Sequence, residues 1–352
     1  MKKEKEGQAI DPETMLAEAL HSVAFTDPSY GDYLVVDVRT HAEFIENSLP
    51  GAINIPLFDE MERSVIGTLY KQVGRQEAVQ AGFEIVHPKL SAIVESFEPY
   101  RQRKLLISCA RGGMRSRAVV NLLAGQGFNI AQLEGGYKAY RHTVLDRVKN
   151  FAPEMIVLHG MTGVGKTRII EKLSPSIDLE LMANHRSSLF GALDREASNQ
   201  KGFEAAFYQK IEEGGQEPFF VEGESRKIGQ VFMPDRFAVA MKQARMVFVT
   251  ASMETRVQRI IEDYPMDDPQ VRSKALAVVK SLRQRLGGKI VDQLSLLLQR
   301  DDLSEFVHIL LTDYYDGRYG NCMLEYNYDL RLSSENIDDT VAELVKYRQS
   351  LL

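Results

Sequence analysis

Cys109 begins a short segment whose residue types suit nucleophilic or anion chemistry, Cys109-Ala-Arg-Gly-Gly-Met-Arg115. The segment follows an apolar run and precedes a helical pattern. Its small residues can therefore turn successive backbone N–H groups into one concavity, and the helix N-terminus adds partial positive charge. This setting favours the thiolate, the nucleophilic form of cysteine, so we predict that Cys109 is catalytic. The predicted anion loop comprises Arg111, Gly112, Gly113, Met114 and Arg115.

Two other interpretations of this loop are open. A free cysteine is often a small buried hydrophobe, although paired glycines and flanking arginines are hard to explain in that case. The spacing from Cys109 to Arg115 is also that of protein phosphatases, which commonly place histidine where this chain has Ser108. Cys322 has no comparable setting, so we expect it to be structural.

A second segment, from Gly160 to Thr167, has the pattern Gly-x-x-x-x-Gly-Lys-Thr directly after an apolar run. Its glycines let the backbone approach a phosphate chain, Lys166 offers a point charge to terminal phosphates, and Thr167 could hold Mg²⁺. The predicted phosphate-binding residues are Gly160, Gly163, Val164, Gly165, Lys166 and Thr167. The pattern indicates a diphosphate or triphosphate ligand and does not establish that ATP is hydrolysed.

Acidic and polar residues elsewhere could complete this phosphate site. Glu222 and Glu224 follow the apolar run that ends at Val221, and we predict that Glu222 contacts a metal ion directly or through water. His185 and Arg186 lie in a polar stretch that could line a substrate pocket. An ordinary surface loop is the alternative for each of these segments, and the sequence does not identify a metal.

The elements that position these motifs alternate between strand and helix, which indicates parallel α/β architecture. We predict strands at 33–38, 52–57, 104–108, 155–158, 218–221 and 245–250, and helices at 115–124, 143–150 and 168–172. The last third of the chain is predicted to be mostly amphipathic helix.

Composition is that of an ordinary globular protein, with 352 residues, 44% hydrophobic and 26% charged. Two cysteines are too few for a disulfide framework and suit a reducing compartment. Neither a secretory signal nor an apolar run long enough to span a bilayer is visible, so we expect a cytoplasmic protein.

A net charge of −6 argues weakly against nucleic acid as a partner, but residues 271–300 carry seven basic residues and one acid. Their apolar positions have helical spacing, which places the charges on an exposed face. Candidate RNA contacts are Arg283, Arg285 and Lys289. A solvated helix surface is the alternative.

The first part of the chain resembles a rhodanese domain. The matching segments, in the expected order, are Asp37-Val-Arg39, Glu43-Phe44, 49–56, the Cys109 loop and Glu134-Gly-Gly-Tyr137. Asn47-Ser48 departs from the Gly-His of many rhodaneses. The resemblance implies that Cys109 carries sulfur or selenium and that Asp37 and Arg39 are structural.

The whole chain resembles the bacterial tRNA 2-selenouridine synthases, in which a rhodanese domain is fused to a P-loop domain. The segments that carry this resemblance are 67–74, the Cys109 loop, 183–186, Val221-Glu222, Glu224-Ser-Arg226 and Tyr315-Asp316. Ser187 stands where glycine is expected. The predicted organisation is a lead of residues 1–18, a rhodanese-like parallel-sheet domain at 19–145, and a P-loop NTPase-like α/β domain with a helical C-terminal part at 146–352.

The resemblance implies a transferase that acts on wobble 2-thiouridine in tRNA. The sulfur is first alkylated with geranyl diphosphate, and S-geranyl is then replaced by selenium from selenophosphate, through an S-selanylcysteine at Cys109. From anion-binding physics we expect the P-loop to bind the prenyl diphosphate and the Cys109 loop to receive selenophosphate. A small-molecule phosphotransferase with a regulatory rhodanese or phosphatase-like domain, and a non-catalytic sulfur or selenium carrier, are the alternatives. Which tRNAs are substrates and the oligomeric state stay open.

Overall fold

A computed structural model describes residues 12–19, 21–186, 188–215, 217–317 and 326–352. The chain divides into two compact units, one ending at Val144 and the other running from Leu145 to Leu352. Within the described part of the chain, no helix combines the length and the apolar character that crossing a bilayer requires.

The first unit is built around a five-stranded parallel sheet with the order β1-β5-β4-β2-β3. Its elements are α1 (Pro12–Leu16), β1 (Ser22–Val23), β2 (Leu34–Asp37), α2 (His41–Glu46), β3 (Ile53–Asn54), α3 (Glu60–Gln72), α4 (Arg75–Val86), α5 (Leu90–Phe97), β4 (Leu105–Ser108), α6 (Met114–Gly125), β5 (Ile130–Leu133) and α7 (Gly136–Asn150), the last crossing into the second unit. Every residue of β4 is buried, as expected of a central parallel strand, and β4 ends directly before Cys109.

The second unit contains a five-stranded parallel sheet with the order β12-β11-β6-β8-β7 and a short antiparallel pair, β9 with β10. Its strands are β6 (Met155–His159), β7 (Ser176–Ile177), β8 (Phe219–Glu222), β9 (Lys227–Ile228), β10 (Val231–Phe232), β11 (Arg245–Thr250) and β12 (Leu330–Ser333). Leu158 pairs with Glu222, so the carboxyl ends of β6 and β8 meet at one edge of the sheet.

Helices make up most of the remainder of the second unit. They are α8 (Lys166–Ile170), α9 (Leu179–Ala183), α10 (Gln200–Glu213), α11 (Asp235–Lys242), α12 (Met253–Asp263), α13 (Pro269–Ser281), α14 (Arg283–Leu286), α15 (Gly288–Gln299), α16 (Leu303–Leu310), a π-helical turn at Leu311–Asp316 and α17 (Ile337–Gln349). Helices α12 to α16 share an apolar core that includes Leu294 and Phe306.

The predicted fold class, two α/β modules and a helical C-terminal part, is confirmed. Individual elements differ from the sequence predictions. The strand predicted at 52–57 is limited to Ile53–Asn54, and α7 begins at Gly136 rather than near residue 143. Strand β12 lies in the region predicted to be mostly helical, where its four residues are too few to give a periodic signal.

Candidate functional site

The sulfur of Cys109 lies within the loop that joins β4 to α6. The residue is only 3% exposed. The backbone N–H of Gly113 donates to Sγ at 3.3 Å, and the hydroxyl of Ser116 lies 3.2 Å from Sγ. Two polar groups therefore converge on the sulfur, as the stabilisation of a thiolate or of a sulfur-bound anion requires.

The conformation of this loop is fixed by contacts with the end of β5 and the start of α7. Gly112 has a φ of +58°, and a Cβ there would lie 2.7 Å from Gly135 N and Leu133 O, so only glycine fits. The amide of Gln132 donates to Gly112 O at 2.8 Å and to Ser116 Oγ at 2.9 Å. Gln132 therefore orients the hydroxyl that lies beside the sulfur.

The two arginines of the predicted anion loop have different environments. Arg111 is exposed, whereas Arg115 forms an ion pair with Glu43 at 2.8 Å. Burial opposes ionisation of Glu43, but the hydrogen bond and charge of Arg115 outweigh it, and the pKa of Glu43 is lowered. Much of the charge of Arg115 is therefore directed at Glu43 instead of at the loop.

Other predicted residues of the first unit form an ion pair, a contact with an aromatic ring or the wall of an apolar cavity. Arg39 pairs with buried Asp37 at 2.6 Å and lies over the ring of Tyr137, 4.2 Å from its centroid. Met114 lines an apolar cavity of about 110 Å³ together with residues of α3 and α4, among them Ile66 and Phe83. Cys322 lies outside the described residues.

The P-loop, residues 160–167, follows β6 and borders a cavity of about 430 Å³. Gly163 and Gly165 have φ values of +85° and +88°, which glycine adopts without strain. Lys166 Nζ donates to Gly160 O at 3.1 Å. Lys166 and Thr167 both line the cavity. Phosphate binding by these two residues stays a prediction.

Two buried arginines of α12, which the sequence analysis did not identify, hold the P-loop backbone. Arg256 donates to Thr162 O at 2.8 Å and pairs with Asp316 at 2.6 Å. Arg259 donates to Val164 O at 2.7 Å. Their three-residue spacing on an amphipathic helix is the only sequence signal, and it does not reveal which loop they contact.

Three carboxylates meet in the same cavity. Oxygens of Glu180, Glu222 and Glu224 all lie within 4.8 Å of one another. Glu222 is 1% exposed, and among the described residues none donates a hydrogen bond to its buried Oε1. Burial and then the charge of Glu180 raise the pKa of Glu222 well above its usual range. Glu222 and Glu224 were predicted from sequence, whereas Glu180, on α9 after β7, was not.

Asp178 and His159 border this acidic region and also have shifted pKa values. Burial is the main cause that raises the pKa of Asp178 to about 6, although its carboxylate accepts from Leu181 N. Burial, followed by the charge of Lys166, lowers the pKa of His159 to about 4. The ring of His159 is therefore neutral near pH 7, and it contacts the hydroxyl of Tyr328 at 3.2 Å.

Of the predicted pocket residues, Arg186 lines the cavity. It pairs with Asp194 at 2.6 Å, and its guanidinium lies 4.5 Å from the ring centroid of Tyr264. The ring of His185 instead lies against Gly229. Ser187, where the family pattern has glycine, lies outside the described residues.

A smaller apolar cavity, of about 50 Å³, adjoins the cavity beside the P-loop. The two share the wall residues Thr162, Ser188, Ile260, Tyr264 and Tyr315. The rest of its lining is mostly apolar and includes Phe190, Met266, Phe306 and Leu310. An amphiphilic ligand with a phosphate head and a short hydrocarbon tail matches this arrangement.

The basic stretch at 271–300 forms helices α13 to α15. Arg283 pairs with Asp292, and Arg285 donates to the hydroxyl of Tyr314 at 3.1 Å. Arg272 pairs with Asp301 at 2.5 Å, while Lys289 is exposed. Asp292 and Asp301 thus neutralise part of the positive charge of this stretch. Contact between the stretch and RNA stays a prediction.

Comparisons with known proteins agree with the two-part architecture. Residues 26–143 match the rhodanese-like domain, and residues 153–350, more than half of the chain, match the tRNA 2-selenouridine synthase AAA domain. Two crystal structures also match part of the chain, an N-terminal domain from Clostridium difficile 630 and a rhodanese-related protein from Thermoplasma volcanium. They are 47% and 26% identical, cover 32% and 35% of this chain and 90% and 92% of their own, and have TM-scores of 0.31 and 0.22, too low to support the fold assignment.

Full-length relatives extend the match. The tRNA 2-selenouridine synthase of Nitrosomonas europaea is 35% identical over 68% of this chain, which spans 65% of that protein. The synthase of Pseudomonas syringae pv. syringae is 34% identical over 82% of this chain and 88% of its own length. On these matches, the chain belongs to the tRNA 2-selenouridine synthase family.

Proposed function

We propose that this protein converts 2-thiouridine at the wobble position of tRNA into 2-selenouridine, through S-geranyl-2-thiouridine. The observation that carries the proposal is the pair of adjoining cavities in the second unit. One is lined by Lys166 and Thr167 of the P-loop, and the other is apolar. Geranyl diphosphate has the same division into an anionic head and a hydrocarbon tail.

The first step is an alkylation at sulfur. The thiocarbonyl sulfur of 2-thiouridine attacks the allylic carbon of geranyl diphosphate, a carbon–sulfur bond forms, and the carbon–oxygen bond breaks with release of diphosphate. Lys166 compensates the charge that develops on the leaving diphosphate. The apolar cavity is smaller than a ten-carbon chain, so entry of the tail requires movement of flexible lining residues such as Met266.

The second step exchanges sulfur for selenium at C2 of the base. The selenium of selenophosphate attacks C2, and geranylthiolate leaves with the electron pair of the carbon–sulfur bond and takes up a proton. Water then cleaves the phosphorus–selenium bond, which releases phosphate and leaves selenium on the base. Selenophosphate carries selenium at the oxidation level of selenide, so this net exchange needs no oxidant. We assign the transfer of selenium from selenophosphate to Cys109, because Gly113 N–H and Ser116 Oγ converge on its sulfur.

The test is nucleoside analysis of thiolated tRNA incubated with geranyl diphosphate and then with selenophosphate. We expect Cys109→Ser to form S-geranyl-2-thiouridine but no 2-selenouridine, because a hydroxyl stays protonated near neutrality. Lys166→Ala should bind geranyl diphosphate about ten-fold or more weakly and form less of both products. Cys322→Ser, the same change at the other cysteine, is the control and should behave as wild type.

Several outcomes would contradict this assignment. Wild-type amounts of 2-selenouridine from Cys109→Ser would remove Cys109 from the mechanism. Unchanged binding of geranyl diphosphate by Lys166→Ala, together with loss of ATP binding, would favour the phosphotransferase instead. Equal affinities of wild type for geranyl diphosphate and inorganic diphosphate would show that the apolar cavity does not receive the tail.

A further inference from the structure

The acidic cluster beside the P-loop is formed by three separate parts of the second unit. Glu180 lies on α9, Glu222 is the last residue of β8, and Glu224 lies two residues beyond it. Ile177 pairs with Val221, so the end of β7 lies beside the end of β8 and brings the start of α9 to the same edge of the sheet. The parallel register thus brings the three carboxylates together.

A cluster of acids alone does not indicate a ligand, but Glu222 adds an independent observation. Its side chain is almost completely buried and borders the cavity, and its buried Oε1 has no hydrogen-bond partner within the part of the chain that the structure describes. A buried carboxylate oxygen without a partner is costly, and proteins normally pair such a group or use it to coordinate a metal. Lys166 acts on Glu222 through its charge, but Lys166 Nζ donates to Gly160 O.

The separation of the three carboxylates suits a single small cation. Their oxygens lie within 4.8 Å of one another, so modest side-chain rotations let one ion contact all three. Carboxylate oxygens are hard ligands, which divalent cations such as Mg²⁺ and Mn²⁺ prefer. Thr167 lines the same cavity, and its hydroxyl adds a further oxygen donor.

We propose that Glu180, Glu222 and Glu224 form a divalent-cation site that binds Mg²⁺ or Mn²⁺ before any phosphate ligand enters. This differs from the usual P-loop arrangement, in which the metal is held largely by phosphate oxygens with few protein carboxylates. Binding of the cation by the free protein requires neither tRNA nor a prenyl donor. Its consequence, that the bound cation meets the oxygens of the incoming diphosphate, rests on the proposed function.

The experiment is a titration of the full-length, phosphate-free protein with Mn²⁺, in which the signal of free Mn²⁺ is followed by electron paramagnetic resonance. We expect one Mn²⁺ site, from which Mg²⁺ displaces the ion. Glu180→Gln, Glu222→Gln and Glu224→Gln should each weaken binding at least ten-fold, because each removes a charged ligand at nearly constant volume. Glu343→Gln, the same change at an exposed residue of α17, is the control and should bind like wild type.

Thermal unfolding in EDTA and in Mn²⁺ separates loss of the site from loss of the fold. In EDTA, Glu222→Gln should unfold at or above the wild-type temperature, because the amide that replaces the carboxyl group never has to carry a buried charge. Mn²⁺ should no longer raise the unfolding temperature of this variant. Absence of a Mn²⁺ site in wild type, or wild-type affinity in the three variants, would overturn the proposal. Because neither assay contains tRNA or geranyl diphosphate, failure of the proposed function leaves both readouts interpretable.

Discussion

The cysteine loop and the P-loop have the same local plan but different supports. Each follows the carboxyl end of a buried parallel strand and precedes a helix. The cysteine loop is held by Gln132, 20 residues from Gly112 in the chain. The P-loop is held by Arg259, 95 residues from Val164, and by Ser334, 170 residues from it. Apart from the ion pair of Arg115 with Glu43, the contacts that hold the first loop therefore come from nearby in the chain, whereas those that hold the P-loop come from distant elements.

Their electrostatics also differ. In the cysteine loop, Arg115 is paired with Glu43, and the groups that reach the sulfur are a backbone N–H and a hydroxyl. The P-loop cavity contains Lys166 together with the cluster of Glu180, Glu222 and Glu224. The first arrangement suits a soft nucleophile and a single anion. The second suits a diphosphate accompanied by a cation.

The largest effect is expected where the P-loop depends on a distant residue. Arg256→Met removes the donor to Thr162 O and leaves Asp316, which is 24% exposed, without its partner. Loss of one member of a largely buried pair should cost roughly 2–4 kcal/mol of unfolding free energy. A unit of this size should then unfold at a temperature about 5–10 °C lower.

Arg245→Met is the matched control, because Arg245 is exposed and pairs with Asp329 at 3.5 Å. Exposed pairs contribute about 0–1 kcal/mol, so this variant should differ little from wild type. Differential scanning calorimetry of both variants provides the comparison. If Arg256→Met lowers the unfolding temperature no more than Arg245→Met does, α12 does not support the P-loop as described.

The same contrast explains what the sequence could predict. The strands before Cys109 and Gly160, and the loops themselves, were predicted because an apolar run, a glycine-rich segment and a helical pattern are adjacent in the chain. Glu222 and Glu224 were named as candidates because they lie at or just after the end of a predicted strand. Glu180, Arg256 and Arg259 were missed because their contacts exist only after distant elements pack. Strand β12 was missed because its pairing with β11 is also non-local.

A second test breaks the local support of the cysteine loop. Gly112→Ala would place a Cβ 2.7 Å from two backbone atoms, at a φ of +58° that alanine rarely adopts. At Gly113 a Cβ would meet nothing within 4 Å, and φ is not in the left-handed region. We expect Gly112→Ala to cost about 1–3 kcal/mol of unfolding free energy and to displace the loop, whereas Gly113→Ala should cost less than about 1 kcal/mol. The measurements are thermal unfolding and the rate of Cys109 alkylation by iodoacetamide. Equal behaviour of the two alanine variants would refute the proposed backbone constraint.

The smallest effect is expected at the basic stretch, residues 271–300, where a charge reversal tests whether tRNA binds. Arg283, Arg285 and Lys289 are all exposed, but Arg285 also donates to the hydroxyl of Tyr314. A variant that leaves Arg285 unchanged therefore avoids a structural disturbance. The double change Arg283→Glu and Lys289→Glu should weaken tRNA binding by roughly three- to ten-fold, and each lost phosphate contact should reduce the slope of log K against log salt by about 0.7–0.9. The effect of Arg283 is limited because Asp292 already neutralises part of its charge.

Lys242→Glu with Lys346→Glu reverses the same number of charges on α11 and α17 and controls for the change in net charge. Binding is measured by fluorescence anisotropy of labelled tRNA over a series of KCl concentrations. If both double variants lose affinity and slope equally, the stretch is a solvated helix surface and tRNA responds only to net charge. A loss confined to the Arg283 and Lys289 variant would instead place the tRNA backbone along α14 and α15.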